Sequence, residues 1–359
     1  MTATRPADSG TAAPHPGLVE QHRRLPRFAL SGAFVVGGLV GVGFSALTGV
    51  NLVLAVLYAV VLGTLAVYVT ARAVEGSRKA LDRLVTCVVT SAFAVAMVPL
   101  ISLVWTVLSR GLHRLDGQFF NSSMLGIVGE GGGAYHAILG TLIITAITTV
   151  ISVPIGLLTA IYLVEYGTGR LKKAITFLVD VMTGIPSIVA GLFAFALFAL
   201  FFGPGVRLGI MGSIALAVLM IPVMVRSSEE VLKLVPNELR EAAYALGVPK
   251  WRTVVKVVIP TAIAGLATAV TLAVARVVGE TAPLLITVGI INGTNLDPFS
   301  GRMATLPVFA YYQLTQPGFP PEFAIDRAWT AALLLIILVM ALNVVARLIS
   351  RFFAPKTGR

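Results

Sequence analysis

Long apolar runs constrain this chain more than any other feature in it. Phe28 to Val50, Asn51 to Thr70, Leu84 to Leu108, Ala134 to Val164, Ala174 to Phe202, Gly209 to Val225, Thr261 to about Ile290 and Ala328 to Leu348 are nearly free of charge. Each exceeds or approaches the roughly 20 residues that cross a 30 Å hydrocarbon core. With 57% hydrophobic and 12% charged residues, against about a quarter charged in soluble domains, the chain reads as an all-α integral membrane protein of eight spans. A cleaved leader has an apolar core of only about 7–15 residues and no second span directly behind it, so segment 28–70 is expected to be a retained N-terminal transmembrane hairpin.

The net charge of +11 does not point to nucleic acid, because the basic residues are scattered through short loops. With both termini cytoplasmic, inside segments hold 21 of the 27 Lys and Arg residues, and outside loops hold five: Arg110, Arg114, Arg207, Arg302 and Arg327. That asymmetry follows the positive-inside rule and sets the orientation. Residues 1–27 are rich in Pro, Ala and Gly without periodicity and read as a disordered cytoplasmic tail; residues 351–359 read as a basic cytoplasmic tail. Pro154 is expected to kink the fourth span, and Gly184-Ile185-Pro186-Ser187 to break the fifth. The lone Cys87 allows no intrachain disulfide.

The segment 226–259, between the sixth and seventh spans, holds ten charged residues, more than any separate stretch of its length in the chain. Pro236-Asn237 offers a cap, Glu238 and Glu241 favour the first turns of a helix, and Gly247 followed by Pro249 stops it. The helix expected over Glu238–Leu246 is only about two and a half turns, which is marginal alone in water. It therefore needs a surface. Ala242 and Ala243 permit close approach of a protein partner, with Leu239, Tyr244 and Leu246 supplying apolar contact; lying on lipid is the alternative.

Within the apolar seventh run stand Arg276 and Glu280, one turn apart. An Arg at the bilayer centre costs about 2.5–3.5 kcal/mol on insertion scales, and Glu280 is placed to neutralise it. Two readings remain open: an ion pair that fixes helix packing, or a guanidinium whose planar fork contacts an oxyanion. Arg226, at the inner end of the sixth span, is a second candidate in a substrate path, or an anchor that snorkels to the interface. No lysine follows a glycine in the chain, so it has no phosphate-binding loop of the G-K-[S/T] type. His15, His22, His113 and His136 are isolated from any metal-ligand spacing, and no catalytic constellation is visible.

Glu241-Ala242-Ala243, three residues, Gly247, nine residues, then Val257-Val258-Ile259-Pro260 resembles the EAA signature of bacterial ABC importer permeases. The string Ala275-Arg276-Val277-Val278-Gly279-Glu280-Thr281-Ala282-Pro283-Leu284-Leu285, with Ile221 to Glu229, resembles the permease subunits of phosphate importers, the PstA family. The likeness covers residues 84–355; the hairpin 28–70 lies outside it.

The resemblance implies a type I ABC importer permease core of six transmembrane helices over 84–350. It implies a coupling site at Glu241, Ala242, Ala243 and Gly247, and a substrate pathway with Arg226, Arg276 and Glu280. It further implies no cofactor in this chain, with ATP and Mg bound by a partner ATPase dimer (PstB-like). The other implied partners are a second permease (PstC-like) forming a heterodimer and an extracytoplasmic phosphate-binding protein (PstS-like) on the loops 109–133 and 291–326. Sulfate or molybdate is the nearest rival anion. An ATPase-independent secondary transporter is the more distant rival, since it has no use for a docking helix.

Overall fold

A computed structural model describes residues 52–353 and scattered positions between 32 and 43. The expected tail 1–27, most of the first span of the hairpin and most of the basic tail 351–359 lie outside the described residues. The rest is helical, with no strand among the described residues. The chain divides into two compact units, 1–103 and 104–359.

In the first unit, α1 (Leu52–Val74) turns sharply at Gly76, whose φ of +90° suits a residue without a Cβ, into α2 (Ser77–Gly111). Arg83 Nη2 donates to Glu75 Oε1 at 2.8 Å across that turn.

The second unit holds a short outer helix α3 (Gly117–Asn121), capped by Asp116, which accepts from the Phe119 N–H at 2.8 Å. Then come α4 (Tyr135–Ile161) with a π-helical turn at Tyr162–Tyr166, α5 (Gly169–Thr183), α6 (Ser187–Phe202) and α7 (Gly209–Lys233). The cytoplasmic helix α8 (Asn237–Ala245) precedes α9 (Lys250–Thr253), a second π turn at Val254–Val258, and α10 (Ile259–Val278). The chain closes with α11 (Ala282–Thr287), α12 (Leu306–Thr315) and α13 (Glu322–Phe353). Among the described residues six helices are long and apolar enough to cross a membrane, or seven where the bent pair α5–α6 counts as one span.

The central contact is between α4 and α7. Buried positions on α4 recur every fourth residue at Ile144, Thr148, Ser152, Gly156 and Ala160, the row that packs ridge into groove. A Cβ on Gly156 would lie 2.6 Å from Met224 Cγ, so the glycine is what lets the two backbones close up. Thr148 Oγ1 donates to the Ser213 carbonyl at 3.2 Å, and Ser213 Oγ donates to the Ile144 carbonyl at 3.3 Å. Ile144, Leu216, Met220, Met224, Ala273 and Val277 fill the core around this contact.

Pro154 lies inside α4, which runs on helically through it, whereas the sixth and seventh spans differ from their sequence expectations. α7 runs past Val225 to Lys233, so the first quarter of the charged segment is helical extension of the span. The Gly184–Pro186 break bends α5 and α6 by 107°. The seventh span, expected to reach Ile290, ends at Val278, because a continuous helix would drive the Pro283 ring into the Gly279 carbonyl. Pro283 instead opens α11, which packs on α6 where a Cβ on Gly191 would meet Pro283 Cα at 2.7 Å.

Gly156→Leu is expected to overpack the α4–α7 contact and cost roughly 1–3 kcal/mol, read as a lowered thermal midpoint in detergent. Gly117→Ala, where a Cβ meets nothing within 4 Å, serves as the neutral comparison. Equal midpoints for the two variants would refute the role given to Gly156.

Candidate functional site

On the cytoplasmic side α8 forms as the sequence leads one to expect at its C-terminus. Gly247 takes φ +74°; its N–H reaches the Tyr244 carbonyl at 2.9 Å and the Val248 N–H reaches the Ala243 carbonyl at 3.1 Å, a Schellman ending. The N-terminus differs. Pro236 holds the cap position, and Asn237 makes no capping bond; its Oδ1 accepts from Arg240 Nη1 at 3.2 Å instead.

The face of α8 divides in two. Ala243 is turned inward and buried, so it serves packing within this chain. Glu241, Ala242, Leu239, Tyr244 and Leu246 are all exposed. An apolar strip with one carboxylate is thus left uncovered on the cytoplasmic end of the unit.

Arg240, immediately before Glu241, fixes that strip to the membrane-spanning core. Its Nη2 lies 2.9 Å and its Nε 3.0 Å from Glu165 Oε1, while Nη1 donates to the Val235 carbonyl at 2.6 Å and Nη2 to the Leu232 carbonyl at 3.0 Å. The side chains are 12% and 4% exposed, so the pair is almost dry and the guanidinium is fully used. Glu165 lies in the π turn at the end of α4. Sequence reasoning missed this pair, although Glu165 is the sole carboxylate between residues 131 and 179.

Arg226 on α7 is likewise occupied. Its Nη2 pairs with Asp180 of α5, its Nη1 lies 2.7 Å from Glu229 Oε2, and Glu229 Oε1 in turn lies 2.8 Å from Lys233 Nζ. Glu229 is one turn along the same helix, at a spacing visible in the sequence, whereas Asp180 comes 46 residues earlier and no local pattern links it to Arg226.

Arg276 has a different setting. It stands in the last turn of α10, exposed on this chain, at the end where the helix dipole favours a cation. Glu280 lies beyond the helix end, half-buried, its N–H bonded to the Val277 carbonyl at 3.2 Å. The helix break corrects the expectation of one continuous helical face: no ion pair joins Arg276 to Glu280 among the described residues. The break opens beside an apolar groove of about 460 Å³ lined by Gly279, Thr281, Tyr311 and Trp329. Among the described residues Arg276 is therefore a cation with no carboxylate in contact, unlike Arg226 and Arg240.

Residues 152–359 match the family model described as the binding-protein-dependent transport system inner membrane component. The chain belongs to this family. The matched stretch runs from α4 to the C-terminus and includes all seven proposed site residues. The chain is similar to the phosphate transport system permease protein PstA 1 of Mycobacterium tuberculosis, at 47% identity over 75% of this chain and 87% of the relative. It is also similar to the phosphate transport system permease protein PstA of Pasteurella multocida, at 38% identity over 71% of this chain and 88% of the relative. Among solved structures, a chain of a bacterial alginate ABC transporter superposes with a TM-score of 0.53 at 14% identity, over 77% of this chain and 97% of that one; at that identity the likeness speaks for the fold alone. The permease family and the apolar helices make this a multi-pass inner-membrane transport subunit.

In a double-mutant cycle, Arg240→Met and Glu165→Gln are each expected to lower the thermal midpoint, toward the lower end of the ~3–5 kcal/mol typical of breaking a buried pair, with the double variant losing less than the sum. Strict additivity would show that the two side chains do not act together.

Proposed function

We infer that the chain is the permease subunit of an ATP-driven importer of inorganic phosphate. The observation that carries this reading is the 36–47% identity to phosphate transport permeases across the core that holds both the uncovered coupling strip and Arg276. A permease of this family moves solute without hydrolysing ATP itself. The absence of a Gly-Lys pair in the chain agrees with a division of labour in which a separate ATPase dimer binds ATP and Mg.

The exposed strip on α8 fits that ATPase. Glu241, Ala242, Tyr244 and Leu246 present a short apolar ridge, and Gly247 ends it cleanly. Arg240 and Glu165 connect the ridge to α4, so a push on α8 is delivered to a span and not absorbed in a loop. An interfacial helix resting on lipid needs no such tether, which favours the docking reading.

For the substrate path, Arg276 supplies a guanidinium that no carboxylate occupies, and a planar fork of donors suits a tetrahedral oxyanion. Glu280, nearby but unpaired with it, limits how tightly an anion is held, as a path requires. Arg226, held between Asp180 and Glu229, fits a fixed element of the path wall better than a direct contact. The other half of the path is assigned to a second permease in a heterodimer. The outer loops 109–133 and 291–326 are assigned to an extracytoplasmic phosphate-binding protein.

The test is ATP-dependent uptake of labelled phosphate into vesicles holding the whole complex, with ATPase retention checked by pull-down. Arg276→Gln is expected to reduce uptake at least about tenfold, the scale of one lost charge-assisted hydrogen bond, with assembly intact. Uptake at the wild-type rate would remove Arg276 from the path. Efficient competition by sulfate would replace phosphate as the substrate.

A further inference from the structure

A second arginine without a carboxylate partner lies at the outer end of the core. Arg327 stands in the second turn of α13, only 4% exposed, on the wall of a cavity of about 340 Å³. Its Nε donates to Gln313 Oε1 at 3.2 Å, and its Nη1 donates to the carbonyls of Gly129 at 2.8 Å and Gly131 at 3.0 Å. No carboxylate pairs with it among the described residues.

The loop it grips is unusual. Gly129, Gly131 and Gly132 take φ of +86°, +90° and +65°, a conformation that L side chains rarely adopt. From the other side Arg114 Nη2 donates to the Gly132 carbonyl at 3.0 Å. Glu130, the one acid in this loop, is exposed and pairs with neither guanidinium.

Carbonyl dipoles orient a guanidinium, but they do not neutralise it. Of the five N–H donors of Arg327, three are spent on Gln313 and the glycine loop; Nη2, with the other two, has no partner among the described residues. Asn292, Tyr312 and Gln316 line the same cavity. A dry cation with unspent donors, in a polar cavity large enough for a small ion and some water, lacks an anion.

We propose that this cavity is an outer anion subsite, in which Arg327 Nη2 and the amides of Asn292 and Gln316 hold an inorganic tetrahedral oxyanion before it reaches Arg276. Its assignment to phosphate rests on the importer reading above. The subsite itself rests on Arg327. A carboxylate of the docked binding protein offers the same chemistry, and the test separates the two.

The experiment is equilibrium binding of radiolabelled inorganic phosphate to the assembled complex in nanodiscs, without nucleotide or binding protein. The Arg276→Gln complex is expected to retain one phosphate equivalent, and Arg276→Gln with Arg327→Gln to bind it about tenfold more weakly or not at all. Gln316→Leu, which touches no loop carbonyl, is expected to weaken binding severalfold with an unchanged thermal midpoint; it keeps the proposal falsifiable if Arg327→Gln does not assemble. Unchanged phosphate binding in both Arg327→Gln and Gln316→Leu overturns the subsite. Phosphate binding unchanged by Arg327→Gln, with docking of the binding protein weakened, overturns it in favour of the protein carboxylate. Sulfate bound in place of phosphate, and lost in Arg327→Gln, sinks the phosphate reading and leaves the subsite standing.

Discussion

The close approach of α4 to α7 is the contact on which the rest of this architecture depends. Lipid tails are as apolar as leucine, so burying apolar surface does not by itself drive two helices together inside a bilayer. Small residues and hydrogen bonds between helices must do it. Gly156 admits Met224, Thr148 donates to the Ser213 carbonyl, and Ser213 donates back to the Ile144 carbonyl. Around this seam α7 becomes the most enclosed of the candidate spans, with 67% of its apolar window buried. The cytoplasmic segment that carries α8 begins where α7 ends, and α11 rests on Gly212 of the same helix, where an added Cβ would lie 2.5 Å from Val288.

Four arginines separate into two classes by what surrounds them. Arg240 is held by one carboxylate and by backbone carbonyls, Arg226 by two carboxylates, and each joins elements distant in sequence. Such pairs do not offer charge to a ligand; they fix geometry. Arg276 and Arg327 have no carboxylate in contact among the described residues, and the two stand toward the outer ends of α10 and α13. The positive potential thus left open is on the side from which an anion arrives, while the cytoplasmic side is locked by ion pairs.

Much of this was legible in the sequence because the bilayer imposes simple rules. Apolar length set the spans, loop charge set their direction, and Gly247 marked the end of the cytoplasmic helix α8 through the conformation only glycine adopts easily. The α4–α7 register was less visible, since the residues that define it are unremarkable alanines, glycines and threonines. Glu165 and Arg240 are 75 positions apart, and no local pattern links them. The break after Val278 was concealed by composition: residues 261 to 290 are apolar apart from Arg276, Glu280 and a few threonines, and only the Gly279 to Pro283 spacing carries the signal. Arg327 was legible as an outer charge but not as a buried one, because its burial depends on a glycine loop almost 200 residues earlier.

The π turn at Tyr162–Tyr166 has a geometric consequence for the span it ends. Its closing bond runs five residues back, from the Gly167 N–H to the Tyr162 carbonyl, so it holds one residue more than an α turn. Each residue advances the helical wheel by about 100°, and the extra one resets the phase of everything below it. The stripe that seats α4 against α7 and the direction in which Glu165 faces are therefore independent settings on one rod. The upper part of the rod is clocked to its neighbour in the membrane; the lower part is clocked to Arg240 and the cytoplasmic helix it holds.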